Sequence, residues 1–153
     1  MPKFWRRGVS LLDFLPAIAA GDLTPTALEI TAGEPVTPAV ADINGWEFQN
    51  NAIPIPNLQD TFTGSIPGED TVADSSITLY DDDTDDTLRA LFAKGTNGFL
   101  LWRPYGAGAG KRAEVFPIRV ANITDQKSMG NDPARFVVNC SITAEPNVDV
   151  ALP

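Results

Sequence analysis

The chain has 153 residues, 43% hydrophobic and 20% charged, a composition that suits one globular domain and supplies no apolar run near the roughly 20 residues that span a bilayer. Its 20 acids against 11 bases leave a formal charge of −9, which repels phosphates and argues against sequence-independent nucleic-acid binding. With no histidine and a single cysteine, Cys140, it excludes internal disulfides, Cys/His zinc sites and every His-based acid/base scheme.

Residues 1–25 show no regular period and read as an extended N-terminal arm ahead of a single domain over residues 26–153. Lys3, Arg6 and Arg7 against Asp13 make residues 1–20 net +2, so the rest carries −11. The arm mimics a secretory signal, with a basic start, a short apolar stretch and Ala17-Ile18-Ala19 as a cleavage box. Asp13 and Pro16 interrupt that stretch, so the arm reads as retained. Phe4, Trp5, Leu11, Leu12, Phe14, Leu15 and Ile18 would contribute about 10–20 kcal/mol if fully buried. Ordering some eighteen residues costs about 18–36 kcal/mol, so a docked arm also needs hydrogen bonds and a complementary surface. Its own domain and a neighbouring copy are the two candidate surfaces. The neighbour is the expected one, with Lys3, Phe4, Trp5, Arg6, Arg7, Leu11, Leu12, Phe14 and Leu15 as contacts and the basic end facing acidic surface.

Short β-type runs separated by Pro, Gly, Asn and Asp clusters predict strands near residues 27–32, 45–50, 61–66, 74–80, 97–103, 113–123 and 134–145. Between the second and third, Ile53-Pro54-Ile55-Pro56-Asn57 has little capacity to form a ladder, because proline lacks an N–H, and it is expected to be a loop. One helix is predicted over residues 84–94, where Leu88, Leu91 and Phe92 share a stripe. In the last strand Phe136, Val138, Cys140, Ile142 and Ala144 fall on one face, the period of a half-buried antiparallel strand. Cys140 then reads as a small core residue.

The candidate chemical sites are weak. Asp81-Asp82-Asp83-Thr84-Asp85-Asp86 lacks the Gly and Glu of an EF-hand loop and reads as acidic capping of the helix that follows. Gly106-Ala107-Gly108-Ala109-Gly110-Lys111 lacks the first Gly and the final Ser/Thr of a phosphate loop and precedes a strand, so it reads as a hairpin tip. A pair of catalytic carboxylates has no signature among twenty acids. No metal, cofactor or catalytic residue is assigned.

An ordered series of short motifs runs through the chain: Phe4-x-Arg6-Arg7-Gly8, Pro16-x-Ile18, Gly45-Trp46, Ile66-Pro67-Gly68-Glu69, Asp74-Ser75-Ser76-Ile77-Thr78-Leu79-Tyr80 and Gly95-Thr96-x-Gly98. It continues with Arg103-Pro104-Tyr105-Gly106, Val115-Phe116-Pro117-Ile118 and Ile142-Thr143-x-Glu145-Pro146. In order and spacing this resembles the major tail tube proteins of long-tailed, siphovirus-type bacteriophages, most closely those of actinobacteria.

The resemblance implies a β-sandwich or barrel-like tail tube fold with a flanking helix. Hexameric rings of it would stack into a virion tube for DNA ejection, with arms and loops linking successive rings, Ile53, Pro54, Ile55, Pro56 and Asn57 being the expected inter-ring loop. It implies no cofactor and no catalysis. The implied partners are the chain itself, the tape measure protein, the tail terminator and baseplate proteins, with DNA in passage, no specific nucleic-acid binding and no membrane. In that setting an acidic lining would keep DNA from sticking, over a range of about 8 Å. Three other readings are a terminator or baseplate ring protein, a secreted β-sandwich binding module and a carboxylate enzyme. Polymerisation into extended tubes separates the first from the tube protein.

Overall fold

The computed structural model describes residues 1–153. In chain order the elements are β1 (Leu11–Leu15), α1 (Ala27–Ala32), β2 (Glu34–Pro35), β3 (Val40–Asn44), β4 (Phe48–Asn50), β5 (Ile53–Ile55), β6 (Gly64–Ile66) and β7 (Asp70–Val72). They continue with β8 (Ser75–Tyr80), α2 (Thr87–Leu91), β9 (Asn97–Arg103), β10 (Arg112–Gln126), β11 (Arg135–Ile142) and β12 (Asn147–Ala151). The predicted mainly β architecture is the observed one. No helix is long and apolar enough to cross a membrane.

Eight strands form one antiparallel sheet in the order β2-β1-β9-β10-β11-β8-β3, with β12 added to β10. The 15-residue β10 organises it by changing neighbours along its length. On one edge it meets β9 from Glu114 to Arg119; on the other it meets β12 through Arg112–Val115 and then β11 from Ile118 onward. Pro117 falls at that change of partner. Its carbonyl accepts from Thr143 N–H at 3.0 Å, so its missing N–H points to the same edge, at the gap between the two ladders where no bond is lost.

Alternation along the strands places apolar side chains on both faces of the sheet's middle. One face carries the larger core, in which Leu12, Phe14, Ile77, Leu79, Phe116, Ile118, Val120, Phe136 and Val138 pack with Val36 and Phe92. The other carries a smaller core of Leu15, Leu101, Ala113, Val115, Val150 and Leu152, backed by Ile18, Leu23 and Ile30. The stripe predicted for α2 is seen, since Phe92 is buried edge-on against Phe14 at 5.3 Å and Leu88 and Leu91 pack alongside. The helix is shorter than expected, five residues instead of eleven.

Three predicted features are corrected. Residues 27–32 are α1, not a strand. Thr26 Oγ1 accepts from Glu29 N–H at 3.2 Å while the Glu29 carboxylate accepts from Thr26 N–H at 3.0 Å, a reciprocal cap that fixes the first turn and outweighs the β preference of Ile30 and Thr31. The helix N-cap Asp86 makes no side-chain cap bond. Instead Asp82 and Asp85 each accept from the backbone and hydroxyl of the threonine two residues on, Thr84 and Thr87, and Asp81 pairs with Arg89.

The third correction concerns the arm. Leu11–Leu15 is a strand inside the sheet, with β2 on one side and β9 on the other. Leu12, Phe14 and Leu15 are buried in the chain's own two cores. Gly98 confirms how closely this strand is held, because a Cβ there would lie 2.3 Å from the Phe14 ring. The domain therefore begins at β1 and not at residue 26.

Candidate assembly interface

Correcting the arm leaves residues 1–10 as its free part. Its last turn is fixed by Val9 and Ser10 N–H donating to the Arg6 carbonyl at 3.0 and 2.9 Å, and by Ser10 Oγ donating to the Pro104 carbonyl at 2.9 Å. Ahead of that turn aromatic and basic side chains interleave on the surface. Phe4 meets Tyr105 at 5.7 Å; the Arg6 guanidinium lies 5.9 Å from Phe4 and 5.7 Å from Trp102; Arg7 lies 5.3 Å over Trp5. None of Lys3, Arg6 and Arg7 is ion-paired. Trp5 remains 72% exposed. Of the nine arm residues, Lys3, Phe4, Trp5, Arg6 and Arg7 are thus presented to solvent, whereas Leu11, Leu12, Phe14 and Leu15 are brought together with β9.

A second exposed region is the excursion between β3 and β8. It is a ribbon of two short ladders, β4 with β7 and β5 with β6. Its base is a sharp corner at Gly45 and Trp46, both at positive φ, +82° and +65°. A Cβ on Gly45 would sit 2.4 Å from the Asp74 carbonyl oxygen, so glycine is required by both angle and space. Trp46 is held by its N–H donating to Ser75 Oγ at 3.0 Å, by Nε1–H donating to the Ser76 carbonyl at 3.1 Å, and by its ring edge-on to Phe116.

The stretch expected to be an unpaired loop is corrected here. Ile53–Ile55 pairs with Gly64–Ile66, Pro54 lying opposite Ser65. A proline between two paired residues of an edge strand turns its missing N–H away from the partner, so no ladder bond is lost. Pro56 lies beyond the ladder, and Asn57 shapes the tip by accepting from Gln59 and Asp60 N–H, both at 2.9 Å. Phe48, Ile53, Ile55, Leu58, Phe62 and Ile66 are all exposed along the ribbon. Together with Met1, Phe4, Trp5 and Val9 they make ten of the fourteen large apolar side chains that the chain leaves in solvent. Single exposed apolars are ordinary; two concentrations of them mark surfaces that something covers.

The third surface is the sheet face opposite the larger core over β3, β8, β11 and the end of β10. It is mainly polar, presenting Asn44, Ser76, Asn122, Thr124, Asn139 and Ser141, with the exposed Tyr80, the half-buried Val137 and the buried Thr78 among them. Asn139 Nδ2–H donates to Asn122 Oδ1 at 2.6 Å across the strands. Its charges are few, Asp42 against Arg119 and Arg135, so this face does not carry the acid excess. The acids gather on the ribbon and in Asp81–Asp86 instead.

The sites weighed for chemistry are placed as structure. Cys140 is buried in the larger core, where desolvation pushes its thiol up to about 12. Asp81 lies below its ordinary range because Arg89 hydrogen-bonds it, and Arg89 also bridges to Asp125 and lies 4.8 Å over Phe136, tying α2 to the strands. No three carboxylates come together to hold a metal ion. Residues 104–111 form the turn between β9 and β10. Sequence reasoning missed a buried ion pair, Asp13 with Arg103, on the face of the smaller core. Burial raises the Asp13 carboxyl above its ordinary value while the charge and hydrogen bond of Arg103 oppose the rise.

Comparison with known proteins agrees with a surface built for assembly. A search of curated proteins finds no match. Among solved structures the chain is similar to one described as the tail of an empty gene transfer agent (GTA) particle, refined helically with C6 symmetry. The TM-score is 0.57 at 12% identity, over 97% of this chain and 100% of that one. A chain in the virion of a native gene transfer agent particle aligns over 80% of this chain and 91% of its own, with a TM-score of 0.49 and 14% identity. The family model described as phage tail tube protein matches residues 1–153 in full, and the chain therefore belongs to the phage tail tube protein family.

Proposed function

We propose that six copies of this chain close into a ring and that rings stack into the tube of a phage-like virion tail, the conduit for DNA. The observation that carries this is the pair of exposed apolar regions, residues 1–9 and the ribbon, which the monomer leaves uncovered. The sixfold count is supported by the C6 symmetry of the gene transfer agent tail whose fold this chain resembles. In this reading the ribbon and the first nine residues join subunits and rings. The polar face of β3, β8, β11 and β10 lines the lumen.

A wall made mostly of Asn, Ser and Thr gives DNA interchangeable hydrogen-bonding partners, and of its two cations, Arg119 and Arg135, the second is paired with Asp132. In this reading the expected acidic lining is not on the wall, whose one acid is Asp42. The partners are those of a tube: a tape measure protein inside it, a terminator at one end and a baseplate at the other. The chain performs no catalysis in this role, a reading supported by the missing histidine and the inert environment of Cys140.

Negative-stain electron microscopy of the purified, concentrated protein tests the proposal. Rings or tubes with a central channel are expected. A protein that stays monomeric by sedimentation velocity at every concentration, with or without virion extract as nucleus, refutes it.

A further inference from the structure

A groove of about 500 Å³ runs between the base of the ribbon and the segment that follows β11. Its apolar floor is Phe48, Val72, Ile142 and Pro146, and its rim carries Asp70, Asp74 and Glu145 with no basic residue. None of those three acids is ion-paired. Apolar floor and acidic rim together specify an occupant with large apolar side chains and positive charge close together in sequence. The chain has one fully exposed segment of that kind, Lys3-Phe4-Trp5-Arg6-Arg7, whose cations make no ion pair within the chain, although Arg6 lies near enough to Glu114 to oppose the rise of that carboxyl.

That segment does not occupy the groove of its own chain. Phe4 and Arg6 lie instead against Tyr105 and Trp102, and none of the first ten residues contributes to the groove wall. We infer that the groove receives Lys3–Arg7 of a second copy of this chain, Trp5 and Phe4 entering the apolar floor and Arg6 and Arg7 meeting Asp70, Asp74 and Glu145. The inference rests on the self-assembly reading above and adds to it the surface that the N-terminal segment grips. Burying two aromatic side chains supplies the hold, and the ion pairs set register and direction, since exposed pairs contribute little by themselves. The contact is heterologous: a groove on one copy takes an end from the next, which in turn offers its own groove. Contacts of that kind propagate.

Two experiments decide it. Arg6→Glu/Arg7→Glu and Asp70→Lys/Asp74→Lys/Glu145→Lys are each expected to raise the critical concentration for tube formation by about tenfold or more, ~1.4 kcal/mol per contact. Combining the two sets is expected to restore it in part. In a Cys140→Ala background, Trp5→Cys and Glu145→Cys on one chain are expected to give a ladder of linked copies on non-reducing gels of oxidised tubes. Where the groove variant does not fold, the arm variant and the cross-link decide alone. Normal tubes from a charge-reversed variant, or a disulfide between positions 5 and 145 closed within single chains, overturn the groove assignment while leaving tube assembly standing. Wild-type protein that never assembles overturns assembly and groove together.

Discussion

Two truncations that differ by eleven residues should have opposite consequences. Removing residues 1–9 takes away Phe4, Trp5, Arg6 and Arg7, which are exposed and bound to the domain by ring contacts and two turn bonds. Contacts of that sort are worth about 0.5–1 kcal/mol each, so the truncated chain should keep its fold and melt within several degrees of the full chain. Removing residues 1–20 also deletes β1. That strand is interior to the sheet, and Leu12, Phe14 and Leu15 are 3%, 2% and 0% exposed. At about 1.5–3 kcal/mol for each fully buried side chain, the loss is about 5–9 kcal/mol before the ladders to β2 and β9 are counted. A domain of this kind is stable by about 5–15 kcal/mol in total, so the shorter chain should be unfolded or insoluble. Circular dichroism melts and urea titration of both truncations, followed by electron microscopy of the first, provide the assay. A chain lacking residues 1–20 that melts cooperatively near the full-length temperature would refute the assignment of β1 to this domain's core. Normal tubes from the chain lacking residues 1–9 would refute the role given to its free end.

Two further outcomes follow from the interior and from the ribbon corner. Asp13→Leu alone strands the Arg103 charge, whose Nε is already buried without a partner, and should cost about 3–5 kcal/mol, while Asp13→Leu/Arg103→Leu recovers most of it. Because the folded Asp13 carboxyl is raised above 3.8, its contribution is full below that pH and lost as pH rises through the raised value. Urea midpoints of wild type relative to the double variant should therefore improve on acidification from neutrality. Gly45→Ala forces a side chain into left-handed backbone at about 1–2 kcal/mol and against the Asp74 carbonyl. It should lower the melting temperature and shorten tubes, and a melt and tube length matching wild type would contradict the corner described here.

The strands with one polar face are legible from their alternation: of the five residues it puts on one side of β11, Phe136, Val138 and Cys140 are core, Ile142 packs against it, and Ala144 lies exposed past the strand's end. What escaped has specific physical causes. Leu11-Leu12-Asp13-Phe14-Leu15 has no period because both its faces are buried, so its pattern does not distinguish an interior strand from an arm. The cap Thr26-x-x-Glu29 was present in the sequence, yet Ile30 and Thr31 favoured the strand reading. In the ribbon, two prolines hid a ladder that needs an N–H only at alternate residues. Of the assembly surface, the basic aromatic cluster Phe4–Arg7 was visible as sequence. The groove was not, because its acids come from residues 70–74 and 145 and meet only through the fold.

The corner at Gly45 and Trp46 has a consequence for how such a part can change over generations. Two backbone angles, the bonds from Trp46 to Ser75 and Ser76 and its ring contact with Phe116 set where the ribbon leaves the sheet. Aim and grip are thereby governed by separate residues. Substitutions from Phe48 to Val72 can alter what the projection holds on to, while its bearing relative to the sheet stays put.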